Sequence, residues 1–373
     1  MRTIRSVFAV IPGLFAASLA MATGAAPAVS SVGVWRIGSM SVERAAHQAT
    51  LLNDGRVLVT GGCSGRNCRT FLRSTESFDP SARTFRSAAP MSIPRGSHTA
   101  TRLHDGRVLV AGGCTAGGPT AAAEIYDAAS DRWHRVGDMT MPRCSQVAVA
   151  LRDGRVFVMG GGQGRLGNLA TAEVFDPASS TFSPVGPMRH NHYLATRLAD
   201  GRVLLTGGQG DDGEILRSAE IFDPATNSVR TTGDMVTARV KHAAALLADG
   251  RVLIVGGSDG HGYDGRFGST ELYDPRSGRF SAGPPLHSVR HKLRDAIVVL
   301  RSGPVVVAGG ARNPEAYDPA HGVFVAAQGE LSRPQMFATA TRLRSDRVLV
   351  LGGYDEHTRA SASAWIITVK YRR

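Results

Sequence analysis

Seven times along the chain a strand-like apolar run ends in a pair of glycines: Gly61-Gly62, Gly112-Gly113, Gly161-Gly162, Gly207-Gly208, Gly256-Gly257, Gly309-Gly310 and Gly352-Gly353. The intervals are 51, 49, 46, 49, 53 and 43 residues. A near-constant period of this length marks a repeat in which each copy is one supersecondary unit that must bury its faces against its neighbours. The 373 residues are therefore read as one repeat array and not as two or three ordinary domains.

Four strands can be placed in each unit. Two apolar runs precede the Gly pair, joined by Asp54-Gly55, Asp105-Gly106, Asp153-Gly154, Asp200-Gly201 and Asp249-Gly250 in the first five units. Asp-Gly between apolar runs is a hairpin signal, because Gly accepts the positive φ of a tight turn. Ser302-Gly303 and Ser345-Asp346 replace it in the last two. A third strand carries Glu, an apolar residue, an aromatic and Asp, as in Glu76 to Asp79 and Glu173 to Asp176; a fourth carries Phe85, Trp133, Phe182, Val229, Phe280 or Phe324. The predicted fold is all-β, a seven-bladed β-propeller of four-stranded antiparallel blades.

The Gly pairs, the paired aromatics and an Arg opening each unit resemble the kelch repeat over nearly all of residues 29–373. That resemblance implies a propeller and leaves function open, since kelch propellers include enzymes, adhesive modules and protein-binding platforms. The seventh unit has a single strand after Gly353, Ala364 to Lys370; Val34 to Met40 repeats Trp133 to Met139 and is expected to complete it, removing an exposed edge. Six blades with two unpaired ends is the alternative.

Residues 1–28 read as a signal peptide: Arg2 and Arg5 precede an apolar run from Val7 to Ala22, with small residues through Ala28. The run is short for a spanning helix. The chain is thus expected to be secreted or periplasmic, with no transmembrane segment once the leader is removed. Four cysteines in that setting suggest two disulfides, with three possible pairings; Cys63 with Cys68 and Cys114 with Cys144 are expected.

The net charge of +12 favours acidic partners without choosing among them. No run of five basic residues occurs, so no nucleic-acid arm is predicted. Arg44, Arg95, Arg143, Arg189, Arg239, Arg290 and Arg333 open the units, and recurrence in every unit favours a structural role. Three positions later stand His47, His98, His192 and His242, or Gln146, Leu293 and Met336.

Units four to six break the pattern with Arg189, His190, His192 and Tyr193, then Lys241 and His242, then Arg290, His291 and Lys292. Arg189, His190, Lys241, His291 and Lys292 are candidate ligand-binding residues on one face. His192, Tyr193, His242 and Arg290 form a candidate catalytic set, the combination a polysaccharide lyase or sugar epimerase would use. The leading reading is a monomeric binding module for an acidic polysaccharide or a protein partner; the carbohydrate-active enzyme is the alternative. The family includes the copper enzyme galactose oxidase, to which the Arg143 to Gly161 stretch is distantly similar. Its ligands do not carry over, with Cys144 where a Tyr is wanted and His192-Tyr193 in reversed order. No cofactor or metal is called for; Asp211, Asp212, Asp259 and Asp264 could bind calcium, though Gly-Asp turns need no ion to explain them.

Overall fold

The computed structural model describes residues 28–163, 167–210, 212–261 and 264–372. The expected leader, apart from Ala28, and Asp211 lie outside them. Among the described residues all regular structure is β-strand.

Five separate four-stranded antiparallel sheets run in chain order. The first holds Gln48–Leu51, Val57–Thr60, Thr75–Asp79 and Thr84–Ala88; blades two to five repeat it, beginning at Thr99–Arg102, Val147–Ala150, Leu194–Arg197 and Ala243–Leu246. An eight-stranded sheet holds blade six, from Ile297–Val299 to Val323–Gln328, and blade seven, of Thr339–Arg342, Val348–Leu351, Ser363–Tyr371 and Val29–Ser39, and two short hairpins start at Cys63–Ser64 and Cys114–Thr115. The innermost strand of each blade packs beside those of the two flanking blades, and that of blade seven returns to blade one. The chain is a closed β-propeller.

The core sits between blades. Second strands such as Val57–Thr60 and Val252–Val255 are buried at every position, because neighbouring blades cover both faces. Val57, Val59 and Phe78 of blade one, for example, pack with Leu349, Leu351 and Ile366 of blade seven. The third-strand and fourth-strand aromatics meet as tilted pairs, Phe78 with Phe85 at 4.8 Å and Tyr273 with Phe280 at 4.7 Å between centroids. Blade four has Val229 in that place, and its Phe222 stacks on Phe157 of blade three at 4.2 Å.

The ring closes as the sequence predicts. Val34 pairs with Ile367, Trp35 with Ile366 and Arg36 with Trp365, all antiparallel. The strand also touches blade six, with Val32 opposite Ala327 in parallel. Deleting residues 29–39 should expose the outer edge of Ser363–Tyr371, lower the melting temperature by more than about 10 °C and promote association. Calorimetry with light scattering measures both.

Cys63 is joined to Cys68 and Cys114 to Cys144, with Cα atoms 4.9 and 5.0 Å apart. The two bridges are those expected, and they suit an oxidising compartment. No helix among the described residues is long and apolar enough to cross a membrane.

Candidate functional site

The Gly-pair loops gather at one end of the propeller, the loop face, and the Asp-Gly turns at the other, the turn face. The loop face is built on buried ion pairs. Arg44, Arg95, Arg143, Arg239 and Arg290 are fully buried, each paired with the third-strand Glu of its blade: Glu76 at 2.7 Å, Glu124 at 3.2 Å, Glu173 at 2.9 Å, Glu271 at 2.7 Å, and Glu315. The same guanidinium donates to the carbonyl of the first Gly of its pair, 17 residues on in blades one, two, three and five. The second carboxylate oxygen accepts a backbone N–H of the incoming loop, such as Ser41 or Thr140. The carboxylate and the guanidinium Nη groups are hydrogen-bonded, the condition under which a buried ion pair is tolerated, while the Nε of Arg44, Arg95 and Arg239 meets no partner.

The bridges that follow these arginines correct the repeat register. Ala45 bridges Cys63, Cys144 bridges Gly162, Asn191 bridges Gln209 and Met336 bridges Tyr354. The residues matching Arg44 are therefore His190 in blade four and Gln335 in blade seven, not Arg189 and Arg333. Arg189 is exposed, and Arg333 pairs with Asp355 at 3.0 Å. The matching pair in blade three is Gly160-Gly161, since Arg143 donates to the Gly160 carbonyl. Counting back 17 residues from the first Gly of each pair finds these positions from the sequence. Blade six alone needs 19, from Gly309 to Arg290, and so carries two extra residues before its innermost strand.

Two positions after the buried residue the backbone turns left-handed at Ala46, Ser97, Ser145, Lys241, Lys292 and Phe337, with φ between 51° and 62°. These turns are linked around the channel mouth. Ser97 N–H donates to Ala46 O, Ser145 to Ser97, Lys292 to Lys241, Phe337 to Lys292 and Ala46 to Phe337, at 2.8 to 3.2 Å. The belt is interrupted at blade four. There the equivalent residue, His192, turns inward: its Nε2 lies 2.8 Å from Glu220 and its Nδ1 3.0 Å from Gly207 O. Both ring nitrogens thus meet the kind of partner that the guanidinium meets in other blades, and the imidazole takes its place. Burial would raise the Glu220 carboxyl, but the hydrogen bond and charge of His192 hold it below its ordinary value.

Of the candidate catalytic set, Tyr193 and His242 are brought together, while His192 and Arg290 are engaged by carboxylates. His192 is locked to Glu220 and Arg290 to Glu315, both inside their blades. His242 is buried with Nε2 2.9 Å from Thr206 Oγ1, and Tyr193 is its neighbour, the rings 5.6 Å apart. Burial pushes the Tyr193 phenol up to about 12. Tyr193, not His192, occupies the position matching His47.

Of the candidate ligand residues, Lys241 and Lys292 sit on the belt, His190 stands edge-on to His192 at 6.2 Å, and His291 is buried. The Lys292 ammonium lies 5.0 Å from the Tyr354 ring centroid and 5.7 Å from that of Phe337. Burial, aided by Lys241, lowers its pKa to about 8. The sequence reading missed Phe337 and Tyr354; the 17-residue spacing to Gly352 puts Phe337 on the belt. Among the described residues no group of three or more His, Cys, Asp or Glu is placed to hold a metal ion.

A second element missed is the strut made by the blade-six insertion. Arg294 Nη1 crosses the channel to the carbonyls of Ser145 and Gln146 in blade three, at 2.9 and 3.0 Å. Its Nε meets Asp295 at 3.3 Å, and Asp295 accepts from Gln48 of blade one at 3.1 Å.

No curated protein matches the chain in sequence. Among solved structures it is similar to a fungal alcohol oxidase described as catalytically diverse within the AA5 family and in complex with copper. That likeness has TM-score 0.73 and 18% identity, covering 92% of this chain and 76% of the other. It is also similar to YjhT, with TM-score 0.55 and 14% identity over 89% of this chain and 99% of that one. At these identities the likeness extends to the fold. The Kelch motif matches at residues 44–92, 95–140, 143–189 and 239–287, more than half of the sequence, and the chain belongs to the kelch family.

Proposed function

We propose that the chain is an exported interaction module that binds an acidic polysaccharide on its loop face. The observation carrying this reading is the Lys292 cluster at the channel mouth. An ammonium held against two aromatic rings, with Lys241 on the same belt, offers a charge for a uronate carboxylate and ring faces for the sugar beside it. Arg189 and His190 lie at blade four, where the belt opens. The locking of His192 and Arg290 inside their blades favours binding over catalysis. Export is supported by the leader-like residues 1–28 and the two disulfides.

Titration calorimetry with oligogalacturonate tests the reading. The combined variant Lys292→Gln/Phe337→Ala should weaken binding roughly tenfold, about 1.4 kcal/mol. Binding should also fall between pH 7 and 9, as the Lys292 ammonium loses its proton near pH 8. A neutral oligosaccharide bound equally well, or no binding of either, would point to a protein partner.

A further inference from the structure

We infer that the axial channel is a second, separate site: a well entered from the turn face that takes a small ligand bearing several phosphate or sulfate groups. The proposal rests on where the unneutralised positive charge lies. On the turn face the arginines of the Asp-Gly-Arg turns are each paired with their own Asp, as Arg56 with Asp54 and Arg251 with Asp249, both at 2.7 Å. At the ends of the innermost strands stand Arg102, Arg197 and Arg342, and two residues past such ends stand Arg152, Arg301 and Arg344, with Arg152 and Arg344 lying over the neighbouring turns at Gly201 and Gly55. Among the described residues none of the six forms an ion pair with a carboxylate.

Five of these guanidiniums are fixed by backbone carbonyls across the seams between blades. Arg102 donates to Leu51 O at 3.0 Å, Arg197 to Ala150 O at 2.8 Å and Arg342 to Val299 O at 2.8 Å. Arg152 reaches Ala199 O and Arg344 reaches Asn53 O. Each contact is made by one nitrogen of a group with five N–H donors, so the heads are oriented while most of their donors remain for a ligand. The Asp346 carboxylate nearby accepts from the backbone N–H groups of Arg301 and Ser302 and the Ser302 hydroxyl, and its charge offsets part of that of Arg342 without an ion pair.

Space accompanies the charge. A cavity of about 620 Å³ is lined by Arg102, Arg301, Arg342 and Arg344 with the inner-strand residues Ala49 and Ala340. Further along the inner strands, a cavity of about 290 Å³ is walled by Ala100, Ala148, Ala195 and Ala244 and reaches Arg294 and Asp295. Alanines at these axial positions leave room that larger side chains would fill, and the strut forms the floor.

The geometry points to tetrahedral oxyanions. Guanidiniums arriving from several blades around one axis approach from several directions, and a phosphate or sulfate can accept from all of them. A planar carboxylate presents its two oxygens in one plane.

Calorimetry on the full chain with inorganic tripolyphosphate, orthophosphate, a sulfated disaccharide and citrate is the test. Tripolyphosphate or the sulfated disaccharide should bind at least tenfold more tightly than orthophosphate or citrate, and which of the two binds more tightly identifies the source of the oxyanions. The double variant Arg102→Gln/Arg342→Gln should lose at least tenfold, while Lys241→Gln/Lys292→Gln on the opposite face should lose nothing. Should the arginine variant not fold, phenylglyoxal labelling of the unmodified protein read by mass spectrometry gives the same answer, with ligand protecting Arg102, Arg197 and Arg342. Citrate binding as tightly as tripolyphosphate, binding indifferent to the arginine changes, or protection confined to the loop face would each overturn the proposal. Oligogalacturonate binding to the Arg102→Gln/Arg342→Gln variant should be unchanged, so failure of the channel site leaves the Lys292 reading standing and the two are told apart.

Discussion

Replacing Glu271 with Ala should destabilise the propeller by about 3–5 kcal/mol, read as a shift of the denaturant midpoint. The carboxylate accepts from Arg239 at 2.7 Å and from the backbone N–H groups of Val236 and Thr237 at 2.7 and 3.0 Å. Without it, a fully buried guanidinium keeps its carbonyl partners but loses its counter-charge. Burial already pulls the Arg239 pKa down, with Glu271 opposing, so the pair survives only as a pair. Removing both charges in Arg239→Met/Glu271→Leu should recover much of the loss, since two apolar side chains of similar volume leave no charge to desolvate. A double variant as unstable as Glu271→Ala would mean that the Arg239 contacts to Gly256 and Ser269 carbonyls, and not the ion pair, hold the loop.

The second large effect is acid lability. His47 and His291 are held down to about 3, and His98 and His242 well below the ordinary histidine value. Burial is the leading cause in each. His47, His98 and His242 spend Nε2 on a threonine hydroxyl, and their buried Nδ1 atoms meet no acceptor. A second proton would have nowhere to go. In the unfolded chain these rings protonate near pH 6.5, so between there and about pH 3 the unfolded state binds more protons than the folded one. Stability contributed by the four is complete above pH 6.5 and declines as pH falls. The slope approaches roughly 1.4 kcal/mol per pH unit for each ring, about 5 kcal/mol for all four. Midpoints measured from pH 7 to 4 should show it, and His98→Gln should flatten the curve. A profile level down to pH 4 would contradict the burial of these rings.

The blades were legible because their signals are local: Asp-Gly needs only its own hairpin, and the Glu-to-Asp strand only its own blade. Register was less so. Counting from an Arg near each loop chose Arg189 and Arg333, whereas the fixed distance is set by the guanidinium reaching the Gly carbonyl 17 residues later. Where the Arg is absent, as in blades four and seven, the nearest visible Arg misleads. The burial of His192 and Arg290 was hidden for a related reason, because their partners Glu220 and Glu315 lie 28 and 25 residues further along the chain. The contact of Arg294 across the channel could not be foreseen, since its carbonyl partner lies 149 residues away.

The strand that closes the ring also orders events in time. Val29–Ser39 leaves the ribosome before any blade exists, and its partner Ser363–Tyr371 follows all the other blade strands. Even its first backbone N–H, at Val29, waits for Asp318, 289 positions later. Intermediate blades can form as they are made, but the assembly stays an open arc with two unsatisfied edges until Ser363–Tyr371 is made. The slowest, most entropically demanding contact is thus the final one. Any factor that binds the emerging N-terminal strand holds the whole arc open, and its release sets the moment at which the protein becomes a ring.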